Sequence, residues 1–138
     1  MVHALREIRR VLVPGGVLID MRPLADRWPV EVVSLREVKR TGRVLDLPEQ
    51  TEADIASNEA MQDAERQGWF APERSELFQY VYSWDTPSEM EEFVKEEWQD
   101  FIELDDQMKR ATRSAWAVAD ADGRVRAAAT PETIAADP

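Results

Sequence analysis

The stretch from Ala4 to Met21 restricts this chain more than any other. Ala4, Leu5, Ile8, Val11 and Leu12 recur at helical steps, which predicts a short helix with one apolar stripe. Pro14 cannot continue that helix, and Gly15 and Gly16 tolerate the left-handed dihedrals that reverse a chain. Val17 to Met21 is then a nearly uninterrupted apolar run, the pattern of a strand covered on both faces. A helix, a two-glycine turn and such a strand together imply a helix packed on a largely buried sheet, an α/β arrangement.

The remaining residues add elements in mixed order. Arg22 to Pro29 holds two prolines and reads as a loop. Val30 to Leu35 is rich in β-branched residues and predicts a strand. Arg36 to Gly42 turns the chain, and Arg43 to Leu47 returns as the second strand of a hairpin. Thr51 caps a helix that runs to about Gln67, where Gly68 ends it. From Ser75 to Trp84 a strand is expected, with Phe78, Tyr80, Tyr82 and Trp84 on one face. Such an aromatic row is either the packed face of a sheet under a helix or the lining of a cleft.

Thr86, Pro87 and Glu89 give a helix start with N-cap, first-turn proline and capping box. Met90, Phe93, Val94, Trp98, Phe101 and Ile102 form its apolar stripe, and a break falls at Leu104 to Asp106. A further helix follows with Met108, Ala111, Ala115 and Trp116 inward. Ser114 to Ala119 fits either that helix or the partner strand of a hairpin at Asp122-Gly123, whose second strand is Arg124 to Ala127. Thr130-Pro131-Glu132 starts a short terminal helical turn. No repeat or low-complexity linker divides the chain, so residues 1–138 read as a single domain. The expected fold is α/β tending to α+β, with about five strands and three or four helices.

Composition removes several function classes. The net charge is −11, spread unevenly: residues 1–43 carry nine Lys/Arg against five Asp/Glu, and residues 44–138 carry eight against 23. Arg36, Lys39, Arg40 and Arg43 cluster only around the expected hairpin turn, which reads as a solvated turn and not as a nucleic-acid surface. The chain has no cysteine, so thiol chemistry and disulfides are out. No apolar run approaches a membrane span and no signal-peptide pattern opens the chain, so the expected address is cytoplasmic. His3 is the only histidine. Glu91, Glu92, Glu96, Glu97, Asp100 and Glu103 lack an imidazole companion or a glycine-turned loop, and read as a solvated helix face with no metal.

The motif Leu5-x-Glu7-x-x-Arg10-Val11-Leu12-x-Pro14-Gly15-Gly16-x-Leu18 resembles the helix, turn and fifth strand of class I S-adenosylmethionine-dependent methyltransferases, over residues 1–23. The resemblance implies a partial Rossmann-like methyltransferase sheet, and a chain corresponding to the C-terminal half of such a domain with the cofactor-binding half absent. In that family a glycine-rich turn after the first strand holds the methyl donor, because the backbone must approach it closely. The five glycines here never occur as Gly-x-Gly. The resemblance therefore transfers no catalytic or cofactor-binding residue, and no cofactor is expected on this chain alone. It does imply acceptor-side candidates: Asp20, Met21 and Arg22 at the end of the strand, where open α/β sheets bind ligands, with Tyr80, Tyr82 and Trp84. The expected function is a methyltransferase-like protein unable to bind the donor or catalyse alone. The alternative is a non-catalytic α+β module that binds a small apolar ligand or a protein. An unpaired Val17–Met21 strand leaves a hydrophobic edge, so a homodimer or a partner chain covering it is expected.

Overall fold

The computed structural model describes residues 2–22 and 28–129. They form a mixed α/β chain with α1 (Val2–Val11), β1 (Pro29–Val33), β2 (Val38–Arg43), β3 (Leu45–Asp46) and α2 (Pro48–Arg66). Then follow β4 (Tyr80–Trp84), α3 (Pro87–Phe93), a π-helical turn (Val94–Trp98), β5 (Ile102–Glu103), α4 (Asp106–Ala117) and β6 (Arg124–Ala129). Contacts gather the chain into two units, Met1–Pro23 with Pro48–Glu76, and Leu24–Leu47 with Leu77–Pro138. Among the described residues no helix is long and apolar enough to cross a membrane.

The second unit is built on a four-stranded sheet in the order β2-β1-β6-β4, with every ladder antiparallel. The hairpin expected at Val30–Leu35 and Arg43–Leu47 forms with a different register. Ser34 closes a tight turn: its Oγ accepts from the amides of Arg36 (3.3 Å) and Glu37 (3.2 Å), and its own amide donates to the Glu37 carbonyl (2.8 Å). The chain therefore returns at Val38, and residues read as the turn become β2, pairing Val33 with Val38 and Val30 with Gly42. Leu45–Asp46 instead pairs with Ile102–Glu103 in a separate two-stranded ribbon. β6 runs between β1 and β4, with Val125 opposite both Val32 and Trp84. The strand expected from Ser75 is confined to Tyr80–Trp84, because its ladder with β6 reaches only Tyr80.

One face of this sheet carries the core. Trp28, Val30, Val44, Trp84, Met90, Val94, Ile102, Leu104, Met108, Val125 and Ala127 are buried together. Their removal from water drives the packing of α3 and α4 against the strands. The start of α3 forms as the capping residues require: Thr86 Oγ1 accepts from the Glu89 amide (3.2 Å), and the Glu89 carboxylate accepts from the Asp85 amide (2.9 Å). α3 ends early at Phe93, however, and the single helix expected to reach Ile102 is divided by the π-helical turn and β5. Asp105 caps α4 by accepting from the Gln107 amide (2.8 Å), and α4 continues through Ala117, which settles Ser114 to Ala117 as helix. α4 lies close on β2 because Gly42 has no side chain: a Cβ there would sit 2.4 Å from Met108 Cγ. The fully buried Thr112 hydroxyl lies 2.7 Å from that of Thr41 and 2.9 Å from the Met108 carbonyl, so the polar atoms under α4 are satisfied.

In the first unit, α1 and α2 bury Leu5, Ala60 and Ala64, with Ile8, Leu18, Met61, Trp69 and Phe70 packed around them. α2 begins at Pro48 and not at Thr51, since proline is tolerated in a first helical turn. It ends in a Schellman motif at Gly68 (φ +66°), with the Trp69 amide donating to Ala64 and the Gly68 amide to Glu65, both at 2.9 Å. After α1, Gly15 adopts φ +77°, the left-handed turn that its sequence anticipates. The strand expected next does not form: residues 17–21 are neither strand nor helix and have no ladder partner among the described residues. A run hydrophobic on both faces needs sheet neighbours on both sides, and this unit contains no strand among its described residues. The loop expected at 22–29 and the terminal turn at 130–132 lie largely or wholly outside the described residues.

Candidate functional site

The residues singled out as acceptor-side candidates fall into two groups. In the first unit, the Arg22 guanidinium pairs with the Asp20 carboxylate at 2.7 Å and donates to Asn58 Oδ1 on α2 at 2.8 Å. These bonds fix the backbone end of the apolar run against the helix, while Met21 points into solvent. Two more arginines of this unit, Arg6 and Arg9, stand over the Trp69 ring at 5.4 and 5.9 Å.

In the second unit, Tyr80, Tyr82 and Trp84 alternate along β4 and point to one face of the sheet. They meet Trp28, Phe93 and Trp98 there and form a six-ring cluster. Tyr82 is its centre, with ring centroids of Trp28, Tyr80, Trp84, Phe93 and Trp98 between 4.6 and 6.0 Å away. Tyr82 and Trp84 stack with planes 12° apart, and Trp98 meets Tyr82 edge-on at 88°. The π-helical turn contributes directly. Its i→i+5 bonding widens the helix, so Phe93 and Trp98, five residues apart, lie 5.1 Å from each other and face the same strand. Sequence periodicity placed Phe93 and Trp98 on a core-facing stripe. Trp28 carried no such signal beyond its place before a strand.

The rings fill one another, so anything binding this cluster meets its rim. Trp84 is buried, Tyr82 partly so, and Tyr80 is 50% exposed. The Tyr80 and Tyr82 hydroxyls lie 3.4 Å apart, and the hydrogen bond between them, with burial and the neighbouring phenol's charge, raises the Tyr82 pKa above its usual value. The rim therefore presents two phenol hydroxyls able to donate or accept. Beneath it, Trp28 Nε1 is a buried donor with no hydrogen-bond partner among the described residues. The cluster can stack a flat group and bond a polar edge. Among the described residues it has no nucleophile paired with a base.

A second concavity of 580 Å³ runs between α3, the π-helical turn and α4, with Ile102 and Leu104 as its floor and Ser88, Glu91, Lys95 and Gln99 on its rim. Glu91 is committed to a two-pronged bond with Arg113 (3.0 and 2.6 Å). Among the described residues, no three His, Cys, Asp or Glu side chains gather as a metal would require. No protein-family model, curated protein or solved structure matches this chain.

Proposed function

We propose that this chain is the acceptor-side part of a class I S-adenosylmethionine-dependent methyltransferase fold, cytosolic, and that by itself it binds an acceptor-like small molecule without binding the donor. The observation carrying the reading is the opening segment. The helix α1, the left-handed Gly15 turn and an apolar run follow one another as in the family motif, and Val17, Ile19 and Met21 of that run stay exposed while Leu18 packs on its own unit. A strand destined for the middle of a Rossmann-like parallel sheet has this composition. Donor binding in that fold needs a Gly-x-Gly turn for close backbone approach, and the sequence has none. Methyl transfer depends mainly on holding donor and acceptor in line, so a chain that grips only the acceptor side contributes binding and not turnover.

Two measurements test this. Calorimetry with S-adenosylmethionine is expected to give no heat of binding for the isolated chain; micromolar affinity overturns the proposal. Genomic sequence upstream of the Met1 codon is expected to encode a strand, a Gly-x-Gly turn and a helix, in frame or in a neighbouring gene.

A second reading, a non-catalytic α+β module for a small apolar ligand or a protein partner, is favoured by the Trp28 indole, buried with no hydrogen-bond partner among the described residues, beside two rim phenols. It predicts thermal stabilisation by flat aromatic compounds that Tyr80→Ala abolishes. Stabilisation that survives Tyr80→Ala removes this site from consideration.

A further inference from the structure

Two features of the chain have the same defect, an unused set of strand hydrogen bonds. The first is the 17–21 run. Val17, Ile19 and Met21 are 67%, 78% and 72% exposed, whereas Leu18 between them packs toward Leu5, Ala60 and Ala64. Leu18 is the one inward residue of the five, Asp20 being exposed like the rest, so the run commits one side chain to its own unit and leaves Val17, Ile19 and Met21 on offer. No backbone hydrogen bond is made by residues 17–21 among the described residues. The second is β4, which among the described residues has a sheet neighbour on one side only.

The two edges of the sheet differ in how they are guarded. β2 carries Lys39, Arg40 and Arg43, charges that discourage pairing with another chain. β4 reads Tyr-Val-Tyr-Ser-Trp, with no charge, no proline and no bulge in its ladder. Val81 on its other face is 43% exposed.

We propose that the 17–21 run of one copy adds as a fifth strand to the open edge of β4 in a second copy, and that the exchange is reciprocal. Side-chain rows match under this pairing. Val17, Ile19 and Met21 continue the row of Tyr80, Tyr82 and Trp84, and aromatic with β-branched neighbours is a favourable cross-strand combination. Leu18 and Asp20 continue the row of Val81 and Ser83. The only charges in or beside the run, Asp20 and Arg22, already neutralise each other, so no unpaired charge enters the contact. Each copy carries one donor segment and one acceptor edge, so in a reciprocal pair neither is left over. One addition is a small contact. Two of them bury on the order of 1,000 Å², the size at which a specific interface begins. The inference is independent of the methyltransferase reading, because it uses only the edge and the run.

The test is sedimentation velocity on the full chain from micromolar to millimolar concentration, with amide hydrogen exchange at both ends of the range. A monomer–dimer equilibrium is expected, with residues 17–21 and 80–84 gaining protection as the dimer forms. Ile19→Lys and Val81→Lys change exposed side chains, so both variants should keep the wild-type circular dichroism while weakening the dimer at least about tenfold. A monomer throughout the range overturns the proposal. So does a dimer that tolerates either substitution, or one in which residues 17–21 stay unprotected.

Discussion

The two units bury apolar surface by opposite means. The second packs large side chains, Met90, Val30, Val125 and six interlocked rings, between a sheet and two helices. The first relies on Leu5 set against Ala60 and Ala64, small residues that let helices approach closely but remove little area from water. Partly exposed neighbours, Ile8, Met61, Trp69 and Phe70, complete that cluster. The comparison teaches that burial is unequally divided. Both units leave large apolar side chains in water, but in the first Val11, Val13, Val17, Ile19 and Met21 follow one another in a single short stretch, whereas in the second Leu35, Phe78, Phe101 and Val118 stand on separate segments around a large core.

Substitutions can break or sharpen this contrast. Trp84→Ala removes a ring held by Tyr82, Phe93 and Trp98, and should cost about 3–5 kcal/mol in urea unfolding. Leu5→Ala should cost less, about 2–3 kcal/mol, and should unfold α1 and α2 by hydrogen exchange without loosening β6. Equal costs for the two would show that the first unit is as cohesive as the second, against the comparison. Gly42→Val forces a side chain into Met108 and should cost about 1–3 kcal/mol through strain between β2 and α4, read from the urea midpoint. Thr112→Val keeps the shape but strips the Thr41 hydroxyl and Met108 carbonyl of a partner, for about 1–2 kcal/mol in the same assay.

The smallest effect concerns pH. The Tyr82 phenol has a folded pKa raised above the unfolded value of 10.0, so its contribution is complete below that value and is lost as pH climbs through the folded one. Stability should therefore decline in strongly alkaline solution, and Tyr82→Phe should flatten that decline. A phenolate absorbance titration that places every tyrosine at its ordinary pKa would falsify the cause assigned to it.

What could be read from the sequence depended on whether the deciding interaction was local. Thr86, Pro87 and Glu89 announce a helix start because the cap bonds lie within a few residues of each other. Gly68 marks the end of α2 for the same reason. The break before α4 was equally visible in Asp105. The β1–β2 turn was misjudged because Ser34 fits a strand by composition, and only its hydroxyl bonds make it a turn residue. The π-helical turn has no compositional mark, and it cut short a stripe that ordinary helical spacing carried on to Ile102. Val17–Met21 failed as a strand for a tertiary reason: residues suited to a sheet centre have no sheet among the described residues of their unit. Of the candidate site, the β4 row was legible by alternation, whereas the approach of Trp28 and Trp98 to Tyr82 is a product of long-range packing.

Gly42 and Met108 occupy one volume between them. A shorter residue at 108 would remove the Cγ but not the Cβ, which itself stands 2.9 Å from a Cβ added at 42. Position 42 therefore resists any side chain while a non-glycine residue stands at 108, and trimming its neighbour opens no way round that limit.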